Sequence, residues 1–366
     1  MELYPPERLA AAQRATAAAG LDALLLTPGA DLRYLTGYDA HAQERLTCLV
    51  LPARGEPTLI VPTLERPAAE ASPAPGTGVR IVDHRDGTDP YPLVARALGG
   101  ARSVGLANRM WAEQALALRE ALPGVAQRLA GEVLSPLRMR KSPAEVEALA
   151  RAGAAIDAVH ERMAEWLRPG RTEAAVGADI ARAIRDAGHA TADFTIVAAG
   201  PNGASPHHHV SDRVIEPGEA VVVDIGGTMP DGYCSDSTRT YVVGEPGKEF
   251  LAAYEALQAA QRAAVAAVRP GVPAEAVDAT ARDLLTEAGY GEYFLHRTGH
   301  GIGLDGHEAP YIVAGNALPL EAGMTFSIEP GFYVAGRHGA RIEDIVACTG
   351  SGVRRLNTID TDLVWL

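Results

Sequence analysis

Along the first 135 residues, short apolar runs alternate with Ala-, Arg- and Gln-rich stretches whose apolar positions recur every three to four residues. The apolar runs 23–27, 46–51 and 58–61 are bounded by turn residues and read as strands, with further short strands near Ile81 and Val104. Helices are expected over 6–19, closed by Gly20, and around 91–98 and 111–122. Segment 65–77 (ERPAAEASPAPGT) reads as a Pro/Ala-rich surface loop. The pattern is that of an α/β domain, and it contains no clustered His or carboxylate set.

A second domain begins after residues 138–141 with Ser142-Pro143-Ala144-Glu145, a helix start with Ser as N-cap, Pro in the first turn and Glu three residues on. A helix to about Leu167 is expected, and the division is drawn as 1–135 and 136–366. The second part repeats itself. Arg168-Pro-Gly-Arg-Thr-Glu-Ala-Ala-Val-Gly-Ala matches Arg269-Pro-Gly-Val-Pro-Ala-Glu-Ala-Val-Asp-Ala at an offset of 101, and the helices that follow end in Ala187-Gly188 and Ala288-Gly289. Each copy follows a long Ala-rich helix and precedes apolar β-runs, which predicts an α+β domain built on one pseudo-twofold sheet with helices on its outer face.

Composition narrows the function. Of the 366 residues 47% are hydrophobic, enough to offset chain entropy, which excludes a disordered chain. No run approaches the roughly 18 apolar residues of a membrane span, so no membrane partner is expected. The N-terminal MELYPPERLAAAQ has no basic segment followed by an apolar stretch, and Cys48, Cys234 and Cys348 are too few and too scattered for a disulfide framework. A cytoplasmic protein with reduced thiols is expected. Asp plus Glu number 46 against 33 Lys plus Arg, a net charge of −13 that repels phosphate backbones, and no basic patch offsets it, so no nucleic-acid partner is expected.

The candidate chemistry lies in the second part. Ala220-Val-Val-Val-Asp224-Ile-Gly-Gly is a buried strand that places an acid after four apolar residues, and Asp236 follows twelve residues later in a second strand. The intervening Thr-Met-Pro-Asp-Gly is turn chemistry, so a hairpin with both acids at one level is predicted. Met324-Thr-Phe-Ser-Ile-Glu329 is again an apolar strand ending in an acid, with Glu343 fourteen residues on. Four ionised carboxylates in one low-dielectric cleft require cations or protons to neutralise them, and two divalent ions balance the charge. Between the pairs runs His296-Arg-Thr-Gly-His300-Gly-Ile-Gly-Leu-Asp-Gly-His307-Glu308, whose glycines let the backbone pass close to something while three His surround it. It follows no clear strand and opens no helix, which excludes a nucleotide-binding reading. The run Pro206-His207-His208-His209 precedes the Asp224 strand; one of the three is a site candidate and two read as solvated loop.

These residues resemble a known family. Gly-x-Asn-x-x-x-Pro-His, Asp-Ile-Gly-Gly…Tyr-Cys-Ser-Asp-x-Thr-Arg-Thr, His-Arg-Thr-Gly-His-Gly-Ile-Gly…His-Glu-x-Pro, Ser-Ile-Glu-Pro-Gly and Arg-Ile-Glu-Asp occur in the order found in the proline-specific pita-bread metallopeptidases, the Xaa-Pro dipeptidase (prolidase) and aminopeptidase P group. The resemblance covers 142–366. The first part is similar to a creatinase-type N-terminal domain through its α/β layout, its length and Tyr34-Leu-Thr-Gly-Tyr38. The resemblance implies five ligands, Asp224, Asp236, His300, Glu329 and Glu343, for two divalent ions; one nitrogen and four carboxylates suit Mn²⁺, with Co²⁺ or Zn²⁺ as alternatives. It also implies that His207 and His307 contact the scissile region and that His296 and Arg341 hold the C-terminal side of the substrate. Glu329 would carry a proton to the leaving nitrogen, after attack by a metal-bridging hydroxide. The twelve-residue interval between the aspartates is one longer than in many members, and an extra turn residue near Pro230-Asp231 accounts for it.

The implied activity is hydrolysis of Xaa-Pro dipeptides by a homodimer; the alternatives are release of the N-terminal residue from longer Xaa-Pro peptides and a non-enzymatic pita-bread binding protein. Methionine aminopeptidases lack the first domain, and creatinase lacks the metal carboxylates. The charged segment 38–45 is either a solvated turn or a loop that reaches an active site, where Asp39 or Glu44, beside Arg45, would pair with the substrate amine.

Overall fold

The structure is a computed structural model and describes residues 3–366. The chain separates into two compact units, divided in sequence between Arg138 and Met139.

In the first unit, α1 (Glu7–Ala18), β1 (Ala23–Leu26), α2 (Ala30–Thr36), β2 (Cys48–Pro52) and β3 (Thr58–Pro62) are followed by α3 (Arg66–Ala71), β4 (Arg80–His84), α4 (Tyr91–Leu98), β5 (Ser103–Leu106), α5 (Ala112–Ala121) and β6 (Ala126–Leu129). Helix α6 (Gly131–Met139) leads to the division. The strands form one mixed sheet in the order β4-β3-β2-β1-β5-β6. All four residues of β1 are buried, as expected of a continuous apolar run at the centre of a sheet covered on both faces. Gly20, at φ 71°, turns the chain from α1 into β1. Segment 65–77 is not a loop: Arg66–Ala71 is helical with Pro67 in its first turn, and Ala74–Thr77 is a 3₁₀ turn. Alanine favours the helix, proline is tolerated where the N–H has no helical acceptor, and Ala69 and Ala74 are buried.

The second unit opens with α7 (Pro143–His160), whose start is a capping box: Ser142 Oγ accepts from the Glu145 amide and Glu145 Oε2 accepts from the Ser142 amide at 2.9 Å. The helix stops at His160 instead of reaching Leu167, because the chain turns through Met163–Glu165 and buries Met163, Trp166 and Leu167 under the sheet. Next come α8 (Glu173–Asp186), β7 (Thr191–Ala199), β8 (Glu219–Thr228), β9 (Cys234–Val243), α9 (Lys248–Ala267) and α10 (Ala274–Glu287). The chain ends with β10 (Gly299–Gly301), β11 (Glu308–Ile312), β12 (Thr325–Ile328), β13 (Gly331–Val334), β14 (His338–Arg341), β15 (Asp344–Thr349), β16 (Gly352–Arg355) and β17 (Val364–Trp365). Helices α8 and α10 start and stop 101 residues apart, each after a longer helix, so the sequence repeat is a structural repeat.

The strands make two sheets, not one: β17-β9-β8-β7 and β11-β10-β12-β15-β16, with β13-β14 as a separate hairpin. The sheets meet at a single bridge, Thr238 to Glu343, where the Glu343 amide donates to Thr238 O at 3.0 Å. The ladder cannot run on because Glu343 lies where the chain leaves its pairing with β13 and begins pairing with β12. Each half has its own core: Ile156, Ile180 and Ile184 pack on Val221, Val223 and Ile225, while Leu257, Val277 and Ala281 pack with Phe326, Ile328 and Val346. Alternation along β8 then turns Asp224 to the face away from the helices. Among the described residues no helix is long and apolar enough to cross a membrane, and the three cysteines are free and buried.

Candidate active site

Register places the first two acids. Asp224 on β8 faces Thr238 on β9, and Asp236 faces Gly226. The acids are therefore diagonal neighbours on one face, two residues out of level, and not directly opposite as the hairpin reading expected; the hairpin closes between Thr228 and Cys234, which sets that offset. In the second half Glu329 follows β12, and Glu343 enters at the bridge between the sheets. The repeat thus brings carboxylates from both halves to one place. Ligand atoms of Asp224, Asp236 and Glu343 lie within 4.8 Å of one another, as do those of His300, Glu329 and Glu343. A third such group is Asp236, His300 and His307, so His307, assigned by the resemblance to substrate, also stands within reach of an ion.

The glycines around His300 serve the sheet. A Cβ on Gly299 would stand 1.8 Å from Ser327 O, and one on Gly301 2.2 Å from Ala309 O. What the backbone passes so closely is its own neighbouring strands, which holds His300 against Glu329 (Nε2 to Oε1, 3.3 Å) and Asp236 (3.7 Å). Ser327 Oγ accepts from the His300 amide and donates to Glu329 Oε1, both at 3.0 Å.

The electrostatics mark the cluster. Burial, then the charges of Asp224 and Glu329, push the Asp236 carboxyl well above its usual range. Burial, then Asp236, Glu329 and Asp224, does the same to Glu343. Glu329 is raised by burial to about 7, and His300 is lowered by burial and by His307 to about 3. Among the described residues, Asp224 Oδ1 and Glu343 Oε1 are buried with no hydrogen-bond partner. Orphaned anionic oxygens beside a neutral imidazole are a hard-ligand set short of cations, and that fits divalent metal ions.

A cavity of about 770 Å³ opens over the cluster. Its wall includes all five ligand candidates together with His207, His296, His307 and Arg341. Arg341 is buried, and its guanidinium donates to Asp224 Oδ2 (2.5 Å), Tyr333 OH (2.8 Å), Thr238 Oγ1 (3.1 Å) and Pro206 O (3.4 Å). Tyr333 OH in turn lies 2.8 Å from His296 Nε2, and His296 Nδ1 is 2.7 Å from Arg297 O, a carbonyl that can only accept. The proton therefore sits on Nδ1, Nε2 accepts from Tyr333, and Tyr333 accepts from Arg341. Burial, then Arg341, lowers His296 to about 4, which keeps the ring neutral. Arg297 Nη2 stands 3.1 Å from His307 Nδ1, which puts the His307 proton on Nε2.

Several of these partners carried no signal in the sequence. Tyr333 and Thr238 become visible only through Arg341, and Thr238 Oγ1 also donates to Glu343 Oε2 at 2.7 Å. Glu173, in the first turn of α8, accepts from Ala199 N, Asn202 Nδ2, His208 Nε2 and Ser211 N and Oγ, which fixes the loop carrying His207. His208 is thereby a structural residue. Lys141 pairs with Glu308 at 2.6 Å and steadies the segment after His307. Asp39, Glu44 and Arg45 belong to the first unit, where Asp39 pairs with Arg33 at 2.8 Å and Arg45 pairs with Asp86 and Glu44 at 2.7 Å each.

The geometry defines a class, and the comparisons give the family. The chain belongs to metallopeptidase family M24, whose model matches residues 147–350, and it carries a creatinase/prolidase N-terminal domain, matched over 8–140. It is 56% identical over 364 residues to a probable dipeptidase PepE of Mycobacterium tuberculosis, covering 99% of this chain and 96% of that one. It is 37% identical over 343 residues to an Xaa-Pro dipeptidase of Lactobacillus helveticus, covering 91% of each. The crystal structure of dipeptidase PepE from Mycobacterium ulcerans superposes with a TM-score of 0.93 at 58% identity, covering 98% of this chain and 97% of that one. The α/β first domain and the pita-bread second domain implied by the motifs are the architecture these matches define.

Proposed function

We propose that this metallopeptidase hydrolyses the Xaa-Pro bond of dipeptides. The observation that carries the reading is the buried five-ligand cluster, with two orphaned carboxylate oxygens, at the floor of one cavity. The two curated relatives named above bear the name dipeptidase, which supports a dipeptide over a longer substrate.

Asp224, Asp236, His300, Glu329 and Glu343 would hold two divalent ions, with Mn²⁺ favoured by the oxygen-rich set. Such ions supply Lewis acidity and a water-derived nucleophile at neutral pH. The remaining work falls to side chains. His307, with its proton on Nε2, donates to the oxygen of the scissile carbonyl as charge develops there. Glu329, held through Oε1 by the Ser327 hydroxyl, moves a proton by Oε2 to the departing proline nitrogen. His207 stands on the Glu173-anchored loop at the cavity wall and orients the scissile region. His296 and Arg341 line the side assigned to the C-terminal half of the substrate, and their relay through Tyr333 keeps both rigid. A homodimer and a cytoplasmic location belong to the same reading.

The test is a panel of Met-Pro, Ala-Pro, Ala-Pro-Ala and Met-Ala-Ala with added Mn²⁺, repeated after chelation. Cleavage confined to the Xaa-Pro dipeptides, and lost on chelation, is expected. Cleavage of Ala-Pro-Ala would instead make the protein an aminopeptidase, and no cleavage at all would overturn the reading. Asp39→Ala and Glu44→Ala on the same panel test recognition of the amine by the 38–45 loop; unchanged kinetics discard it.

A further inference from the structure

The wall of the cavity contains an irregularity. Strand β7 pairs with β8 through Ala192–Gly227 and Phe194–Gly226, which leaves Asp193 as an extra, unpaired residue. In a regular strand Asp193 and Phe194 would point to opposite faces, but at this bulge Asp193 bonds Thr228 and the Phe194 ring covers Gly226, two positions on the same face of β8 as Asp224. Bulges beside active sites re-aim a side chain, and the chain gives up a ladder position here to bring a carboxylate round.

That carboxylate is held in place. Thr191 Oγ1 donates to Asp193 Oδ1 at 2.6 Å and Thr228 Oγ1 donates to Oδ2 at 2.5 Å. Among the described residues no cation pairs with it, although it is solvent-exposed. The two arginines of the cavity wall are engaged elsewhere, Arg341 by Asp224 and Arg297 by His307 and the ring of Tyr311. The approach to Asp193 is apolar. Ile196 faces Asp224 across the ladder, and the Phe194 ring lies over Gly226, where a Cβ would stand 2.4 Å from its edge. From the metal ligands outward, β7 therefore offers Ile196, then Phe194, then a fixed anion. Three residues of strand span about 10 Å, and the stem of an extended lysine or arginine side chain runs along such a surface with its charge at the far end.

We propose that Asp193 is a specificity-determining residue that selects a basic side chain at the position before proline. The inference rests on the Xaa-Pro reading above and names the substrate class within it. The preference is for Lys-Pro and Arg-Pro over neutral dipeptides of the same length, with Glu-Pro disfavoured.

The experiment compares kcat/KM of the metal-loaded wild type, Asp193→Asn and Asp193→Lys on Lys-Pro, norleucyl-Pro and Glu-Pro. Norleucine matches the lysine stem without its charge, so its turnover also reports that each variant is folded. One partly screened ion pair is expected to give the wild type about a three- to tenfold preference for Lys-Pro over norleucyl-Pro. The ratio should fall to about one in Asp193→Asn and invert in Asp193→Lys, where Glu-Pro gains. It should also shrink when salt is raised from about 0.05 M to about 0.5 M. A wild-type ratio at or below one, or a ratio unchanged in Asp193→Asn, overturns the assignment. An equal loss on all three substrates places the carboxylate on the shared α-amine and overturns it as well. If no Xaa-Pro dipeptide is turned over, the parent reading fails and takes this inference with it, an outcome distinct from turnover without charge preference.

Discussion

Replacing Glu173 by glutamine should loosen one wall of the cavity while leaving the proposed metal-ligand cluster whole. The carboxylate is fully buried, and every group facing it is a donor: Oε1 accepts from Ala199 N at 2.8 Å and Asn202 Nδ2 at 3.0 Å, and Oε2 from His208 Nε2 at 2.8 Å and Ser211 Oγ at 2.6 Å. Glutamine must turn its NH₂ toward one of these sets. Facing Oε2's partners, it opposes the Ser211 amide, while the Ser211 hydroxyl and the other tautomer of His208 can accept. Facing Oε1's, it opposes the buried Ala199 amide, so either orientation orphans one main-chain N–H and costs ~1–3 kcal/mol. Against a total stability of about 5–15 kcal/mol, the variant still folds. A lower urea midpoint at unchanged slope is expected, with faster hydrogen exchange at the Ala199 and Ser211 amides. Metal uptake should persist, because the five proposed ligands stand on other elements, while dipeptide turnover falls with the displacement of His207. The gap should also narrow in acid. Burial alone would raise the Glu173 pKa, but the donors from Ser211, Ala199 and Asn202 outweigh it and hold the pKa below 4.5, so the wild type loses this stabilisation as pH falls through the folded value and the variant has none to lose. An unfolding midpoint equal to wild type, with unchanged exchange at both amides, would refute the reasoning.

Two further outcomes follow from the buried charges. Asp236→Asn removes one of several like charges crowded in a dry site, so the chelated variant should be at least as stable as chelated wild type, yet it should retain less bound metal by elemental analysis and gain less stability from Mn²⁺; a full metal complement would count against the ligand assignment. His160 is buried against Tyr241 OH at 2.9 Å, and burial, then Arg239, lowers its pKa from 6.5 to about 3. Its folded pKa lies below the unfolded one, so the unfolded chain takes the proton first and stability is lost as pH falls from about 7 toward 3, by up to roughly 4 kcal/mol. Urea titrations of wild type and His160→Gln across that range should differ in slope, and identical slopes would reject the linkage.

Local rules written in the sequence determined a good deal of this protein. The capping box at Ser142, the turn glycine at Gly20 and the apolar runs around Asp224 and Glu329 specify their elements by short-range sterics and hydrogen bonding, and those elements formed where expected. The 101-residue repeat was legible for the same reason, since its two helices read the same caps and the same periodicity. Where local rules compete, tertiary packing decided. It made segment 65–77 helical by burying Ala69 and Ala74, stopped α7 at His160 so that Trp166 could be buried, and split the expected single sheet at Glu343. The carboxylates could be named from sequence because Asp224 and Glu329 each follow an apolar run and Asp236 and Glu343 come twelve and fourteen residues after them, but the diagonal register of the first pair depended on how the hairpin closed. The partners that hold the site, Tyr333, Thr238 and Glu173, are separated in sequence from what they touch by as much as 105 residues, in the contact between Thr238 and Glu343. A hydrogen bond between such distant positions leaves no pattern along the chain, and the bulge at Asp193 exists only as a relation between two strands. The sequence determined which residues carry charge and which strands carry them; the fold decided which of those charges share one dry space.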